Sequence, residues 1–322
     1  MVNNKLLFKR LRKLTFDFVI VGDINIDIIT RPIRKLEKEI SIIQDDFYIF
    51  PGGNAANTAL ELAKLGASVH FIGALGKDPI SKWLIDILKK NNITYSINIK
   101  DKPSGITFAI THDDGSRTFI ATLGSNKVLD ISDIDLDNIS ATHFHRAGYL
   151  WAPRLIGRPN KELFKMAKKK EMVTSLAFSW DPDNWTNRAI MLQNLDYCDI
   201  LMLNEKELKA LTGETKLNLA KRKLKKYYHG LTVIHRGSKG SLIISEDEEI
   251  IIPAKKINIL NPTGSGDIYD AAFLYGYEKG WNLREIGKFA GACAEIHIQN
   301  PDIKYPSLND IDKYLKSNLI FD

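Results

Sequence analysis

The stretch Asn261-Pro262-Thr263-Gly264-Ser265-Gly266-Asp267 runs straight into Ile268-Tyr269-Asp270-Ala271-Ala272-Phe273-Leu274-Tyr275-Gly276-Tyr277. It sets small residues and one carboxylate where a loop turns into an apolar helix. Gly264 and Gly266 permit positive φ and let the backbone approach whatever lies above it. The first turn of the helix has N–H groups without intrahelical partners, and the helix dipole favours negative charge there. Together these make a cradle for an anion. Asp267 is then an acceptor beside a site suited to a phosphoryl group, placed to take a proton from a substrate hydroxyl. The same residues also read as a tight turn with a first-turn acid that stabilises a helix start, and the stretch alone leaves both readings open.

Far upstream, Pro51-Gly52-Gly53-Asn54-Ala55-Ala56-Asn57-Thr58-Ala59-Leu60 also leads from a loop into an Ala-rich helix, which closes at Gly66. Between the two glycine segments lie Asn204-Glu205-Lys206-Glu207 and His235-Arg236-Gly237-Ser238-Lys239-Gly240. In this order and at this spacing, the four segments resemble the signature regions of the ribokinase-like (PfkB) carbohydrate kinase family. The first matches that family's Gly-Gly-x-x-x-Asn, and the last its Thr-Gly-Ala-Gly-Asp, with Ser265 in place of the alanine. The two between match its Asn-x-x-Glu motif and its strand-to-loop nucleotide segment. The resemblance covers the chain from about residue 17 to 306.

The resemblance implies an ATP-dependent kinase that moves the γ-phosphoryl group to a hydroxymethyl group of a sugar of ribose, fructose or keto-sugar type. It implies that Asp267 is the base and that Gly264, Ser265 and Gly266 form the anion hole. Asn204 and Glu207 would organise Mg2+ and the nucleotide phosphates, Glu207 partly through water. His235, Gly237 and Gly240 would bind nucleotide. Asn25 and Asp27 would hydrogen-bond sugar hydroxyls, while Gly52, Gly53 and Asn57 let the sugar approach the helix start and hold it. A nucleoside kinase acting on adenosine, inosine, guanosine or cytidine shares all four motifs. A non-catalytic sugar or nucleotide sensor on the same scaffold is a third reading, against which the intact Asp267 and its glycines argue. No G-x-x-x-x-G-K-[ST] segment is present, nor the H-R-D and D-F-G pair, so P-loop and protein-kinase chemistry are excluded.

Each assignment has a plainer counterpart. Asn204 and Glu207, i,i+3 after a buried strand, also read as a helix cap with a first-turn acid. Asn25 and Asp27 also read as the polar face of an exposed strand. Arg117 could reach an anionic substrate or phosphate, though an exposed hairpin arginine is the commoner outcome. His143 and His145 alternate on one strand face, which is possible metal geometry, though no third ligand is visible nearby. Three departures from the family stand out. Relatives commonly carry Asp, which helps bind an activating monovalent cation, where this chain has Asn261, so such a cation is in doubt here. A Gly-Ala pair near the end of the last core helix is replaced by Pro301-Asp302, and the usual Thr of the nucleotide segment is His235.

The run Phe16-Asp17-Phe18-Val19-Ile20-Val21 reads as a strand buried on both faces. It then changes to strict alternation, Ile24-Asn25-Ile26-Asp27-Ile28, with Asn25 and Asp27 on one face. A strand over Val69–Ile72 and a helix over Ile80–Lys90 follow, the helix ended by Asn91-Asn92. Alternating strands over 93–99 and 105–110, and a hairpin turn through His112–Ser116 into 117–120, are expected to form a small lid sheet with residues 24–50. Strands at Val173–Ala177, Asp199–Leu203 and Leu231–His235 alternate with helices in a βαβ rhythm. A further hairpin spans 241–253, and helices over Asp267–Lys279 and Leu283–His297 are expected to close the chain. The reading is a three-layer α/β core with a mainly parallel sheet and a protruding β lid, one kinase domain over 16–322, lid strands from about 24–50 and 93–123. A homodimer through the lid is expected, since exposed sheet edges invite pairing.

The chain has 322 residues, 44% hydrophobic and 26% charged, enough for one large α/β domain with an insertion. No stretch approaches the ~20 consecutive apolar residues of a membrane helix. Residues 1–15 form a basic tail without the apolar core or cleavage site of a secretory signal. The two cysteines, Cys198 and Cys293, fall in segments that read as buried, which suits reduced thiols in a cytoplasmic protein. The formal charge of +6 comes largely from helix faces such as Lys165–Lys170 and Lys221–Lys226. With no nucleic-acid-binding motif beside them, these are solvated faces that steer anionic nucleotides, and nucleic acid is not an expected partner.

Overall fold

A computed structural model describes residues 14–39, 41–114, 116–181, 184–300 and 303–318. The first half comprises β1 (Leu14–Val21), β2 (Asn25–Thr30), β3 (Phe47–Gly52), α1 (Asn54–Lys64), β4 (Val69–Gly76), α2 (Pro79–Lys90), β5 (Thr94–Lys100), β6 (Gly105–Thr111) and β7 (Arg117–Thr122). The second begins with β8 (Ile139–Arg146), α3 (Arg158–Lys168), β9 (Val173–Ala177), α4 (Arg188–Gln193), β10 (Ile200–Asn204), α5 (Glu205–Thr212) and α6 (Leu217–Leu224). It ends with β11 (Leu231–His235), β12 (Ser241–Ile244), β13 (Glu249–Ile252), α7 (Ser265–Glu278), α8 (Leu283–Gln299) and α9 (Leu308–Asn318).

A nine-stranded sheet in the order β13-β12-β11-β10-β9-β8-β1-β4-β5 forms the middle layer. All its pairings are parallel except those of the β11–β12–β13 hairpin end. Its continuous apolar strands supply both faces. Phe18, Ile20, Ile200, Met202 and Val233 pack in one core with α1, α2, α7 and α8. Val19, Val21, Leu201, Leu203 and Ile234 pack in the other with α3 to α6. Strand period 2 thus builds the three layers.

The lid is a separate four-stranded sheet, β3-β2-β6-β7. The segment 93–99, expected in the lid, instead lies in the large sheet: β5 pairs parallel with β4, from His70↔Thr94 to Gly76↔Lys100. Its alternation records one exposed face, and an edge strand of the large sheet has one as surely as a lid strand has. The crossover through α2 makes β4-α2-β5 a βαβ unit and decides the matter. The helices expected to close the chain are followed by a third, α9, beyond Pro306. Residues 1–13 of the expected basic tail lie outside the described residues, and Leu14 and Thr15 already belong to β1. Among the described residues, no helix is long and apolar enough to cross a membrane.

Candidate active site

The C-terminal ends of β1, β8, β10 and β11 and the N-termini of α1 and α7 converge at one edge of the large sheet, where ligands bind in open α/β folds. Just beyond β1, the buried Asp23 accepts the amides of Asn54 at 3.0 Å and Ala55 at 3.1 Å, which anchors the start of α1. Burial raises the pKa of Asp23, against those amides and the charge of the fully buried Arg146 at the end of β8.

Gly264, the N-cap of α7, takes a left-handed conformation with φ 85° that other residues resist. Ser265 and Gly266 follow, half-buried, and Asp267 lies beneath them, 7% exposed, in the first turn. Its Oδ1 accepts Asn54 Nδ2 and its Oδ2 accepts Asn57 Nδ2, each at 2.8 Å. Burial pushes its pKa up to about 7, opposed by the two amide bonds and reinforced by Asp23 and Asp270. A carboxylate poised there can take up or hold a proton near neutrality.

The inner face of the lid meets this point. Asn25 and Asp27 are both buried on that face, and Asn25 Nδ2 donates to Asp27 Oδ1 at 2.8 Å and to Thr107 Oγ1 at 2.9 Å. Asp27 pairs across β2–β3 with Phe50, and Asn25 with Gly52. A β-carbon at Gly52 would sit 2.1 Å from the Asp27 carboxylate, so only glycine leaves that carboxylate its place. Gly53 caps α1 beside Asn25 Oδ1. Lys304, 8% exposed, donates from Nζ to the Pro51 carbonyl and stacks over the rings of Phe50 and Tyr305. Tyr305 Oη donates to Asn57 Oδ1 at 2.9 Å. Asp27's pKa is raised by burial, opposed by the charge of Lys304.

On the other side of Asp267, Asn204 and Glu207 form a reciprocal helix cap. Glu207 N donates to Asn204 Oδ1 and Asn204 N to Glu207 Oε2, both at 2.9 Å. The capping reading of these residues is therefore correct as geometry. Glu207 is also buried, and burial pushes its pKa up to about 7. His235, level with Asn204 across β10–β11, holds Nε2 2.8 Å from Asp270 Oδ1 and lies against Gly266. Burial disfavours its imidazolium, but Asp270, Glu207 and Asp267 together outweigh this and raise its pKa. Gly237 is exposed in the turn after β11. A β-carbon at Gly240 would lie 1.9 Å from the Ile252 carbonyl, so close approach to β13 already accounts for that glycine.

Arg117 is a partly buried lid residue whose Nη2 donates to Asn261 Oδ1 at 3.0 Å. His143 Nε2 and His145 Nδ1 both face Ser175 Oγ, at 2.8 and 2.6 Å, inside the sheet core. Among the described residues, no group of three or more His, Cys, Asp or Glu is placed to hold a metal by itself.

The pfkB family carbohydrate kinase model matches residues 16–309. The chain belongs to the PfkB carbohydrate kinase family. It is thus a sugar kinase, a phosphotransferase with an alcohol acceptor. This PfkB kinase is 28% identical to a 5-dehydro-2-deoxygluconokinase of Clostridium perfringens over 94% of each chain. It is 26% identical to the ribokinase of Lactococcus lactis subsp. lactis over 92% of its own chain and 96% of the relative. The solved structure of Arabidopsis thaliana ribokinase, complexed with ribose and ATP, matches with a TM-score of 0.75, 26% identity, and coverage of 94% and 99%.

In this PfkB kinase the structure also brings to the site residues to which sequence reading gave no role. Asn54 sits inside the Gly-rich segment, and its place one turn before Thr58 on the Asn57 face was the available signal. Asp270, one turn after Asp267, could have been found by the i,i+3 rule. Asp23, Arg146, Lys304 and Tyr305 carry no local signal, because each acts through residues distant in the chain.

Proposed function

We propose that this kinase transfers the γ-phosphoryl group of ATP to a hydroxymethyl group of a sugar, with Asp267 as the base. The observation that carries this reading is the buried Asp267 at the start of α7, held by two asparagine amides and poised near pH 7. The amides of Gly264, Gly266 and Asp267 serve as the anion hole for charge building up on the transferring group, joined by that of Ser265 when it leaves the Pro262 carbonyl that it meets at 3.2 Å. Asn25 and Asp27 bind acceptor hydroxyls, Gly52 and Gly53 give the acceptor room, and Asn57 both touches it and orients the base. Asn204, His235, Gly237 and Gly240 lie along the nucleotide. Phosphate-bound Mg2+ takes one or two carboxylates rather than a protein cage. Glu207 fits that demand, since one of its oxygens is committed to the cap and the other is not. When bound, Mg2+ would neutralise phosphate charge.

The lid's outer face supports a homodimer. Ile49, Ile28, Phe108 and Ile120 stand in register across all four lid strands. Ile49, Phe108 and Ile120 are 54%, 43% and 56% exposed. A continuous apolar row of this kind suits a second copy of the same lid.

The test is ATP consumption by the purified protein with Mg2+ against ribose, fructose, 2-keto-3-deoxygluconate, adenosine, inosine, guanosine and cytidine. Turnover of a sugar acceptor is expected. Turnover confined to a nucleoside would replace the sugar reading with the nucleoside one, and binding of sugar without ATP consumption would replace both with a sensor.

A further inference from the structure

The loop that opens the α7 cradle is held by side chains from two distant elements. His297, near the end of α8 and 1% exposed, places Nε2 2.8 Å from the Thr263 carbonyl oxygen and Nδ1 2.7 Å from the Lys304 carbonyl oxygen. Arg117 of β7 donates to Asn261 Oδ1 at 3.0 Å, and the same oxygen accepts the Thr263 amide at 3.2 Å. The amides of Leu260 and Asn261 meet the Ile298 carbonyl at 3.0 and 2.9 Å. Thr263 O and Lys304 O thus each face a ring nitrogen of His297, and Asn261 Oδ1 accepts from Arg117 and from the Thr263 amide.

We infer that His297 and Arg117 are positioning residues that hold this oxygen-rich loop where a bound monovalent cation would otherwise be needed, and so keep the cradle amides aimed at the transferring phosphoryl group. Grouped carbonyl oxygens with no donor are ligands for hard cations, whereas with donors they are satisfied by the protein itself. One ring nitrogen of His297 donates in either neutral tautomer, and both do in the imidazolium.

The Asp267 amide, in the first turn of α7, has no intrahelical partner and stays available to an anion, while the Thr263 carbonyl just before the N-cap faces His297. The second ring nitrogen ties the same loop to Lys304, whose ammonium holds the Pro51 carbonyl, and to its neighbour Tyr305, which holds Asn57. His297 thus connects the cradle loop to the segment that orients Asp267.

The inference rests on reading Gly264 to Asp267 as a phosphoryl cradle, and MgATP binding by calorimetry in KCl and in NaCl at equal ionic strength separates the two. The full chain is expected to bind MgATP equally in both salts. His297→Ala is expected to weaken binding about fivefold or more in NaCl, the equivalent of one lost hydrogen bond, and to recover most of it in KCl. Adding Asn261→Asp to that variant should enlarge the preference for KCl, since a carboxylate binds a cation more strongly than an amide oxygen. Retained binding in His297→Ala, or a loss of equal size in both salts, overturns the inference, the latter because it marks a packing role. A wild-type protein bound several-fold more tightly in KCl overturns it as well, and this comparison needs no variant to fold. A wild-type protein that binds no MgATP in either salt removes the cradle reading itself, and the inference with it.

Discussion

Asn57 Nδ2 donates to Asp267 Oδ2 at 2.8 Å, joining residues separated by 210 positions in the chain. The bond ties the start of the acceptor-side helix to the proposed base. Both ends of the chemistry are therefore positioned by one contact. Asp267→Asn preserves the shape and one acceptor but cannot take a proton. Its turnover is expected to fall by roughly 10³ or more, with MgATP affinity unchanged. Near-wild-type turnover in a steady-state assay would remove the mechanism.

The same bond sets a pH profile. With the Asp267 pKa near 7, kcat/KM should rise with pH and level off above neutrality, because only the carboxylate can act as base. The Asn57 amide lowers that pKa. Asn57→Ala should therefore move the rising limb to higher pH, beyond any change in KM. A limb that stays in place would separate Asn57 from the base.

Buried acids also govern stability. Asp267 and Glu207 have pKa values raised to about 7, and burial raises that of Glu61, whose two oxygens have no hydrogen-bond partner. A group raised on folding binds more protons in the native state, so stability falls as pH climbs from the ordinary carboxylate range toward the folded-state value. Burial lowers the pKa values of His70, His143, His145 and His297, which works in the opposite sense over the same range, so the acid contribution is read as a difference between proteins. Glu61→Gln should gain on the wild type as pH climbs above the ordinary carboxylate range, by on the order of 1–3 kcal/mol above neutrality. A stability difference that does not change with pH would contradict the assignment.

Asp27 accepts Asn25 Nδ2 on the buried face of the lid, where the proposed function has it meet acceptor hydroxyls. Asp27→Ala should raise the acceptor KM tenfold or more, about 1.5–3 kcal/mol, while MgATP affinity without acceptor changes little. Equal damage to both sites would mean that Asp27 chiefly holds β2 against β6, through Asn25 and Thr107.

If the outer lid face pairs with a second copy, a charge in the middle of its apolar row should prevent it. Phe108→Glu or Ile120→Lys is expected to convert a dimer into a monomer in sedimentation at micromolar concentrations. A wild-type protein that sediments as a monomer at tens of micromolar would refute the pairing.

Much of this architecture was legible beforehand because it is written in local periodicity. The apolar runs ending at Val21 and Leu203, and the βαβ rhythm they share with the strand ending at Ala177, required a sheet covered on both faces. The alternation from Ile24 to Ile28 required a half-buried strand carrying Asn25 and Asp27 on one side. The glycines of 52–53 and 264–266 marked the two helix starts. What could not be read is which sheet the strand at Thr94 joins, because alternation records that one face is exposed and not which neighbour supplies the hydrogen bonds. Nor could α9 be read beyond the prolines at 301 and 306.

The amino-acid sequence by itself determined the sheet covered on both faces, the half-buried strand carrying Asn25 and Asp27, and the two glycine-marked helix starts with Asp267 in the second, since each depends on residue types a few positions apart. The tertiary structure alone decided what surrounds that carboxylate. Asn54 and Asn57 come to it from α1, Asp270 and His235 flank it, Lys304 and Tyr305 approach from the segment before α9, and His297 holds the preceding carbonyl. Apart from Asp270, one turn along the same helix, these partners lie tens to hundreds of residues away along the chain. Side-chain hydrogen bonds and burial act across space at about 3 Å, and no sequence spacing encodes such contacts until packing has brought the elements together.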